Sequence, residues 1–334
     1  MISARMGSAA VTALVLLSGC GSVGVALGMR TRLDKLPVTA VSAKLSPQAS
    51  LTPGKSGRLV LVASGTDGKT WTTVGAKHGD VLFDSYKLEP TVVKVNANGY
   101  VSLPADPRLS SRKSARVHIT VVGHPDVQTD LDIPVKYNAA YVAHFPGASG
   151  NDGMSGIDGM AGSDGVAGSA APTNPLAGGN GGNGQDGSPG GNGTDGWPGQ
   201  TVHVSVTLQP GPTPLIQVRA KGDREEQFFL IDPEGGSLSI DAFGGEGGRG
   251  GRGGRGGRGG SGGIGTPSGL AGSSGLDGSD GQPGSDGKPG KIIVTIDPAA
   301  EVFRDKLHFA TRRGAGAGAG AGAEFHTESV PPLW

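Results

Sequence analysis

Cysteine is almost absent from this chain, with one residue, Cys20, in 334. No disulfide can form within it, so no covalent staple compensates for a small core. Aromatic residues make up only 4%, too few for a large conventional core in a chain long enough for two or three ordinary domains. Lys plus Arg equals Asp plus Glu at 29 each, for a formal net charge of zero. No global field therefore draws the chain to nucleic acid or an acidic surface, and any such partner needs a local patch. Beyond the N-terminus, no apolar run approaches the ~18 residues of a membrane-spanning helix. The chain also lacks a P-loop, a Gly-x-Ser-x-Gly elbow and a His-Glu-x-x-His pair. Its seven histidines are dispersed. His118 and His124 are the nearest pair, and no Cys or further His completes a zinc spacing. The expectation is a protein that is not an enzyme, with no catalytic residues, no metal and no cofactor.

Glycine, by contrast, is abundant at 64 residues. With proline it makes 87 residues, about 26%, a share that signals low complexity unless a strict period organises it. A period is present. Glycine falls on every third residue in four blocks, 147–168, 178–199, 244–265 and 269–290, each 22 residues long with eight glycines in phase.

The N-terminus carries a different signal. Arg5 precedes a short apolar run, Ala9 to Leu17, too short to remain as a spanning helix but of the length of a secretory signal. Leu17, Ser18, Gly19 and Cys20 follow and resemble a bacterial lipobox. That resemblance implies lipidation of the Cys20 thiol and cleavage that leaves Cys20 as the new N-terminus. Gly21 rather than Asp at the next position implies, by the same resemblance, sorting to the outer membrane. The expected location is the bacterial cell envelope, surface-exposed, with the membrane reached through lipid on Cys20. Several acyl chains, at ~0.8 kcal/mol per buried CH₂, would hold such a protein firmly.

Composition divides the remainder into a signal peptide at 1–19, a lipidated tether at 20–35, a β-domain at 36–140, a glycine-rich region at 141–298 and a tail at 299–334 with a Gly-Ala linker. Within 36–140, seven short runs with β-branched alternation (38–45, 57–63, 70–74, 91–95, 100–103, 115–122 and 131–137) are separated by turn residues. They predict an antiparallel β-sandwich. The Leu51-Thr52-Pro53-Gly54 turn and the pairing of Val93–Asn96 with Gly99–Val101 resemble bacterial Ig-like domains. Trp71, Phe83 and Tyr86 are expected to pack in or beside the core. Further strand-like runs at 201–208, 215–220, 228–232, 237–243 and 291–297 predict a small β-module around the glycine blocks, with the insert at 200–243.

A repeat of three matches the polyproline II helix, which has three residues per turn, ~3.1 Å rise and no internal hydrogen bonds. Its backbone must bond to neighbours, in a three-chain collagen helix or in a bundle within one chain. Within the blocks Pro occurs only at 189, 198, 283 and 289, which is poor pre-organisation for collagen. Triplets such as Gly247-Gly248-Arg249 double the glycine and bare two sides of the helix. The matched lengths, ~65 Å each, suit antiparallel packing. Pairs joined through 169–177 and 266–268 would return all four ends to strand-like sequence. The predicted fold is therefore mostly β, an Ig-like antiparallel sandwich followed by a small β-module carrying a glycine-rich polyproline II bundle. A collagen-like triple helix and disordered glycine-rich segments are the alternatives. The bundle is similar in principle to those of springtail antifreeze proteins and some phage-tail adhesin tips.

Arg249, Arg252, Arg255 and Arg258 recur at three-residue spacing, so they form one basic stripe with ~9 Å between neighbours, a candidate polyanion contact. The Arg-Gly-Gly repeats resemble RNA-binding RGG boxes, but an export signal argues against a nucleic-acid partner. Asp152, Asp158, Asp164, Asp186, Asp195, Asp277, Asp280 and Asp286 sit in glycine triplets that suit oxygen-loving calcium in residue type. They do not follow the nine-residue calcium repeat or the EF-hand, and the expectation is that they keep the glycine-rich surface soluble. Lipobox, β-domain and glycine blocks in this order resemble bacterial collagen-like lipoproteins with an N-terminal Ig-like domain, a family with no established activity to carry over. The function that follows is a lipid-anchored cell-surface structural or adhesive protein. The alternatives are a module whose bundle faces bind glycan or another repetitive ligand, and a trimeric collagen-like surface fibre. Partners are cell-surface polysaccharide or protein, and the chain itself is expected to be a monomer, or a trimer if collagen-like.

Overall fold

The structure, a computed structural model, describes residues 31–47, 49–74, 79–314 and 322–334. The chain divides into two compact units, residues up to Ala139 and Ala140–Leu333.

The first unit is two antiparallel sheets, consistent with a β-sandwich. One contains β1 (Val38–Ser46), β2 (Ser56–Gly65), β3 (Thr70–Thr72), β5 (Lys94–Val95) and β6 (Tyr100–Ser102); the other contains β4 (Tyr86–Thr91), β7 (Ala115–Val121) and β8 (His124–Ile133). β-Branched alternation turns one face of each strand inward. Leu59, Leu61, Val117 and Ile119 are fully buried in the shared core, with Trp71 and Phe83 packed on its edge. Tyr86 is buried with no partner for its hydroxyl among the described residues, and burial pushes its phenol pKa up.

Two strand boundaries differ from the sequence expectation. The run expected at 91–95 is split, because β4 ends at Thr91 and Val92 turns with a positive φ of 69°. The strand expected at 131–137 instead covers 124–133, since Gly123 turns the chain straight back on β7 and Pro134 ends the ladder. β4 itself contains Pro90. That residue argues against a strand unless it sits where no ladder bond is needed, which hid β4 from pattern reading.

In the second unit β9 (Ala140–His144), β13 (Ser237–Asp241) and β15 (Leu307–Ala310) form a parallel sheet. β10 (Thr201–Gln209), β11 (Leu215–Lys221), β12 (Glu226–Ile231), β14 (Lys291–Ile296) and β16 (Glu324–Thr327) form a mixed sheet in the order β12-β11-β10-β14-β16. Val204, Val206, Val218, Ile240 and Val294 are among the buried residues of the common core. The expected C-terminal tail is part of this unit, because β15 and β16 each add an edge strand in parallel. Lys291 pairs with Glu324 at 2.7 Å and holds that carboxyl below its usual range. Of the Gly-Ala linker, residues 315–321 lie outside the described residues.

The four glycine blocks leave this β base and lie side by side. Blocks one and two are antiparallel, with Gly179, Gly182 and Gly191 N–H donating to Val166, Ser163 and Met154 C=O at 2.7–2.8 Å. Blocks three and four are likewise antiparallel, as Gly272→Gly260 and Gly284→Gly248 bonds show. Blocks one and three run parallel (Gly150→Glu246, Gly162→Arg258), as do two and four (Gly181→Leu270, Gly193→Gln282). Antiparallel bonds from Gly248 to Thr194 and from Gly260 to Gly182 join three to two. Blocks two and three are thus central, each bonded to all three others, whereas one and four are bonded only to the central pair.

The doubled glycines follow from this arrangement. A Cβ on Gly253 would fall on the Gly278 carbonyl of block four, and one on Gly254 would fall on the Ile157 carbonyl of block one. Both positions of each block-three triplet are therefore closed. In block two the first position faces block three, where a Cβ on Gly187 would meet Gly254. The second position is looser, since a Cβ on Gly191 would stand 3.1 Å from Met154 N. Gln185, Ser188, Thr194 and Trp197 occupy that second position elsewhere along the block.

Candidate functional site

The bundle surface is built from the side chains that the glycines leave over, and it shares its register with the sheets. β9 pairs with β13 at an offset of 97 residues, Asp241 opposite His144, and β10 pairs with β14 at an offset of 90, Thr201 opposite Lys291. Both offsets continue into the blocks. Asp152, Asp158 and Asp164 accept hydrogen bonds from the backbone N–H of Arg249, Arg255 and Ser261, each 97 residues on, at 2.7 Å. Asn180, Asn183, Asp186, Asn192 and Asp195 accept from backbone N–H groups 90 residues on, at 2.6–2.9 Å. Asp286, Asp280 and Asp277 accept from Gly247, Gly253 and Gly256.

Every one of the eight aspartates read from the sequence as solubilising therefore also caps a neighbouring block's backbone N–H. Those N–H groups have no ladder partner, and an unpaired backbone donor is costly where water cannot reach it freely. Sequence reading missed this job, although a signal existed in the recurrence of Asp and Asn at the triplet's last position. Substituting Asp152, Asp158 and Asp164 together by Ala should lower bundle stability by up to about 1 kcal/mol per site, while Asn, which keeps the acceptor, should be close to neutral. Thermal unfolding of the two triple variants checks this. Calcium added to the wild type should leave the transition in place.

The four arginines of the stripe, Arg249, Arg252, Arg255 and Arg258, are exposed at the last position of block-three triplets. No ion pair holds their guanidinium groups among the described residues. They are not an isolated basic strip. The hydrogen bonds above place Asp152, Asp158 and Asp164 along one side of block three and Asp277, Asp280 and Asp286 along the other. Four positive charges lie between six negative ones, so the attraction that a free stripe would exert on a polyanion is offset at short range.

The lipobox residues Leu17, Ser18, Gly19 and Cys20 lie outside the described residues. His118 pairs with Asp130 at 2.9 Å, and His124 lies 3.1 Å from the Leu33 carbonyl, so the two histidines serve different local contacts. Among the described residues no group of three His, Cys, Asp or Glu side chains gathers as a metal site, and no helix is long and apolar enough to cross a membrane. In the first unit an open cleft is lined by Ser110, Arg112, Lys113, Arg116, Asp132 and Tyr137. Its Arg116 is held by Asp132 at 2.7 Å, which raises the guanidinium pKa further. Comparison with protein-family models, with curated proteins and with solved structures finds no match to this chain.

Proposed function

We propose that this chain is a lipid-anchored display protein of the bacterial cell surface, structural or adhesive in role and without turnover. In this reading Cys20 carries the lipid, the sandwich is an Ig-like spacer, and the four blocks are polyproline II helices packed into one stiff rod. The observation that carries the reading is the backbone hydrogen-bond lattice, which repeats every third residue and joins five of the six pairs of blocks. A three-residue repeat that stays in register over seven triplets is the periodicity of polyproline II, ~65 Å in reach. Such a lattice commits its polar backbone to holding shape, and the offset charges beside the arginines favour display over polyanion capture.

Metabolic labelling with palmitate tests the anchor. Labelled wild type and unlabelled Cys20→Ala chain are expected, together with antibody staining of intact cells. Label retained on Cys20→Ala, or staining only after permeabilisation, would overturn the surface-lipoprotein reading.

A further inference from the structure

The rod has one uncharged face, the side where block one meets block two. Block one contributes residues 148 to 166 in steps of three and block two residues 179 to 197 in steps of three, and none of these side chains is charged. Every Asp, Glu, Lys and Arg of the four blocks lies on the other sides. The face also carries five of the eight large exposed apolar side chains of the blocks, the others being Ile264, Leu270 and Leu276. Met154, Ile157, Met160 and Val166 stand 84%, 79%, 67% and 80% exposed, and Trp197 stands 63% exposed. Met154, Ile157 and Met160 follow one another on a backbone with three residues per turn and form a ridge, with Val166 beyond Ser163, which monomeric proteins rarely leave in water.

The two rows lie level with each other. Asn151 N–H donates to Thr194 Oγ1 at 2.7 Å and Ile157 N–H to Ser188 Oγ at 2.6 Å, so the block-two side chains rest against block one at the same heights. At four of the seven levels a large residue sits beside a small one. Trp197 is beside Ala148, Met154 beside Gly191, Ile157 beside Ser188 and Val166 beside Gly179, as the bonds Trp197→Ala148, Gly191→Met154, Ser188→Ile157 and Gly179→Val166 set out.

We propose that this face is the interface with a second copy of this chain, two rods packed face to face and parallel about a two-fold axis along the rod. That axis lays each row on the other row of the second copy at the same height. Met154 then enters the gap over Gly191 of the second copy, Ile157 lies over its Ser188, Val166 over its Gly179, and Trp197 over its Ala148. Only the Met160 and Gln185 level sets two long side chains together. The next level, Ser163 and Gly182, is small on both sides, and unbranched Met160 can lean into it. An antiparallel pair at full overlap would instead set row on like row: Met154 meets Met160 and Ile157 meets its own copy along block one, while Ser188 on Ser188 and Gly191 on Gln185 leave block two apart, and sizes match only at the ends, Trp197 on Gly179 and Val166 on Ala148. The size match therefore selects the parallel arrangement.

Area agrees. A stable interface covers about 800 Å² per partner. Over ~65 Å of rod this needs a width of about 12 Å, which two adjacent blocks ~5 Å apart reach once side chains on either side are included.

The proposal rests on the rod reading but not on the lipid anchor. The test is sedimentation velocity of the full-length chain in a non-ionic detergent over a concentration series, against Ile157→Glu and, as a control on the charged side, Arg255→Glu. Wild type and Arg255→Glu are expected to dimerise. Ile157→Glu is expected to raise the dissociation constant about 100-fold while unfolding as the wild type does at concentrations where both are monomeric. In a Cys20→Ser background, mixing Met154→Cys chains with Gly191→Cys chains should give a disulfide-linked pair, because Cβ atoms that close can be bridged. A wild type that stays monomeric with an intact bundle, a dimer indifferent to Ile157→Glu, or no mixed disulfide would overturn the interface. A trimer would overturn the rod reading with it.

Discussion

Alanine at Gly254 should strongly destabilise the bundle, and alanine at Gly253 should do so equally. The Cβ of the first would occupy the carbonyl of Ile157 in block one and that of the second the carbonyl of Gly278 in block four, both backbone atoms that cannot swing aside. Relief requires one block to move away from another. Each movement stretches several of the 2.7–2.9 Å bonds that flank the site, among them Gly254→Ser188 and Gly278→Gly254. Overpacking alone costs about 1–3 kcal/mol, and lost hydrogen bonds add to it, so a loss of about 3 kcal/mol or more is expected from either variant. For a unit of this size that lowers the melting temperature by roughly 6–12 °C.

Gly182→Ala is the counterpart. Its Cβ would stand 3.0 Å from Ser163 Oγ, a side-chain atom that can rotate. A change within about 1 kcal/mol is expected, since the tighter fit is set against a less flexible unfolded chain. Thermal unfolding by circular dichroism of the three variants reads the contrast. In a three-chain helix only one glycine per triplet lies at the crowded axis, so Gly253 and Gly254 would behave differently there. Unequal losses would count against the single-chain bundle.

That contrast shows where the sequence was informative and where it was not. Doubled glycines reveal that a block is approached from two sides, but not which doubled position is closed. Block three has glycine at both positions of its triplets because each faces a neighbour's backbone. Block two shows the same pair at Gly181-Gly182 and Gly190-Gly191, yet its second glycine faces outward. Gln185, Ser188, Thr194 and Trp197 were the legible clue, because a position that admits tryptophan is not closed. The pairing of blocks one with two and three with four could be reasoned from matched lengths and short connections. The parallel offsets of 97 and 90, shared with β9 on β13 and β10 on β14, could not. Pattern identifies a strand, whereas its register depends on partners distant in sequence. The last strands, β15 and β16, were hidden for a related reason. Both are short, four residues each; β15 follows the helical turns of Glu301–Lys306 and β16 the Gly-Ala stretch. Edge pairing in an existing sheet makes them strands, not their own alternation.

If the sheets set the register, the residue at the junction should matter out of proportion to its distance from the rod's length. Phe145 is that residue. It is fully buried, its N–H donates to Asp241 O at 2.8 Å, and Gly147, two residues later, donates to Phe243 O at 2.8 Å as the first rung of the block-one ladder. Its ring fills the space beside Gly222, where even a Cβ would stand 2.6 Å from the ring. Phe145→Ala removes a large core side chain whose cavity the two flanking sheets cannot easily close, at a cost of about 3–5 kcal/mol. The loss should not be confined to the β base. Freed from its anchor, block one should open from the sheet end, so hydrogen exchange at Gly150 and Gly153 should rise before that at Gly162 and Gly165. Protection lost uniformly along the block, or lost first at its far end, would mean that the blocks hold their own register and that the sheets only cap them. Phe145→Leu, which keeps most of the volume, should restore much of the stability and the order of exchange. The two variants together separate a packing defect from a loss of register, because only the second predicts a gradient along the rod.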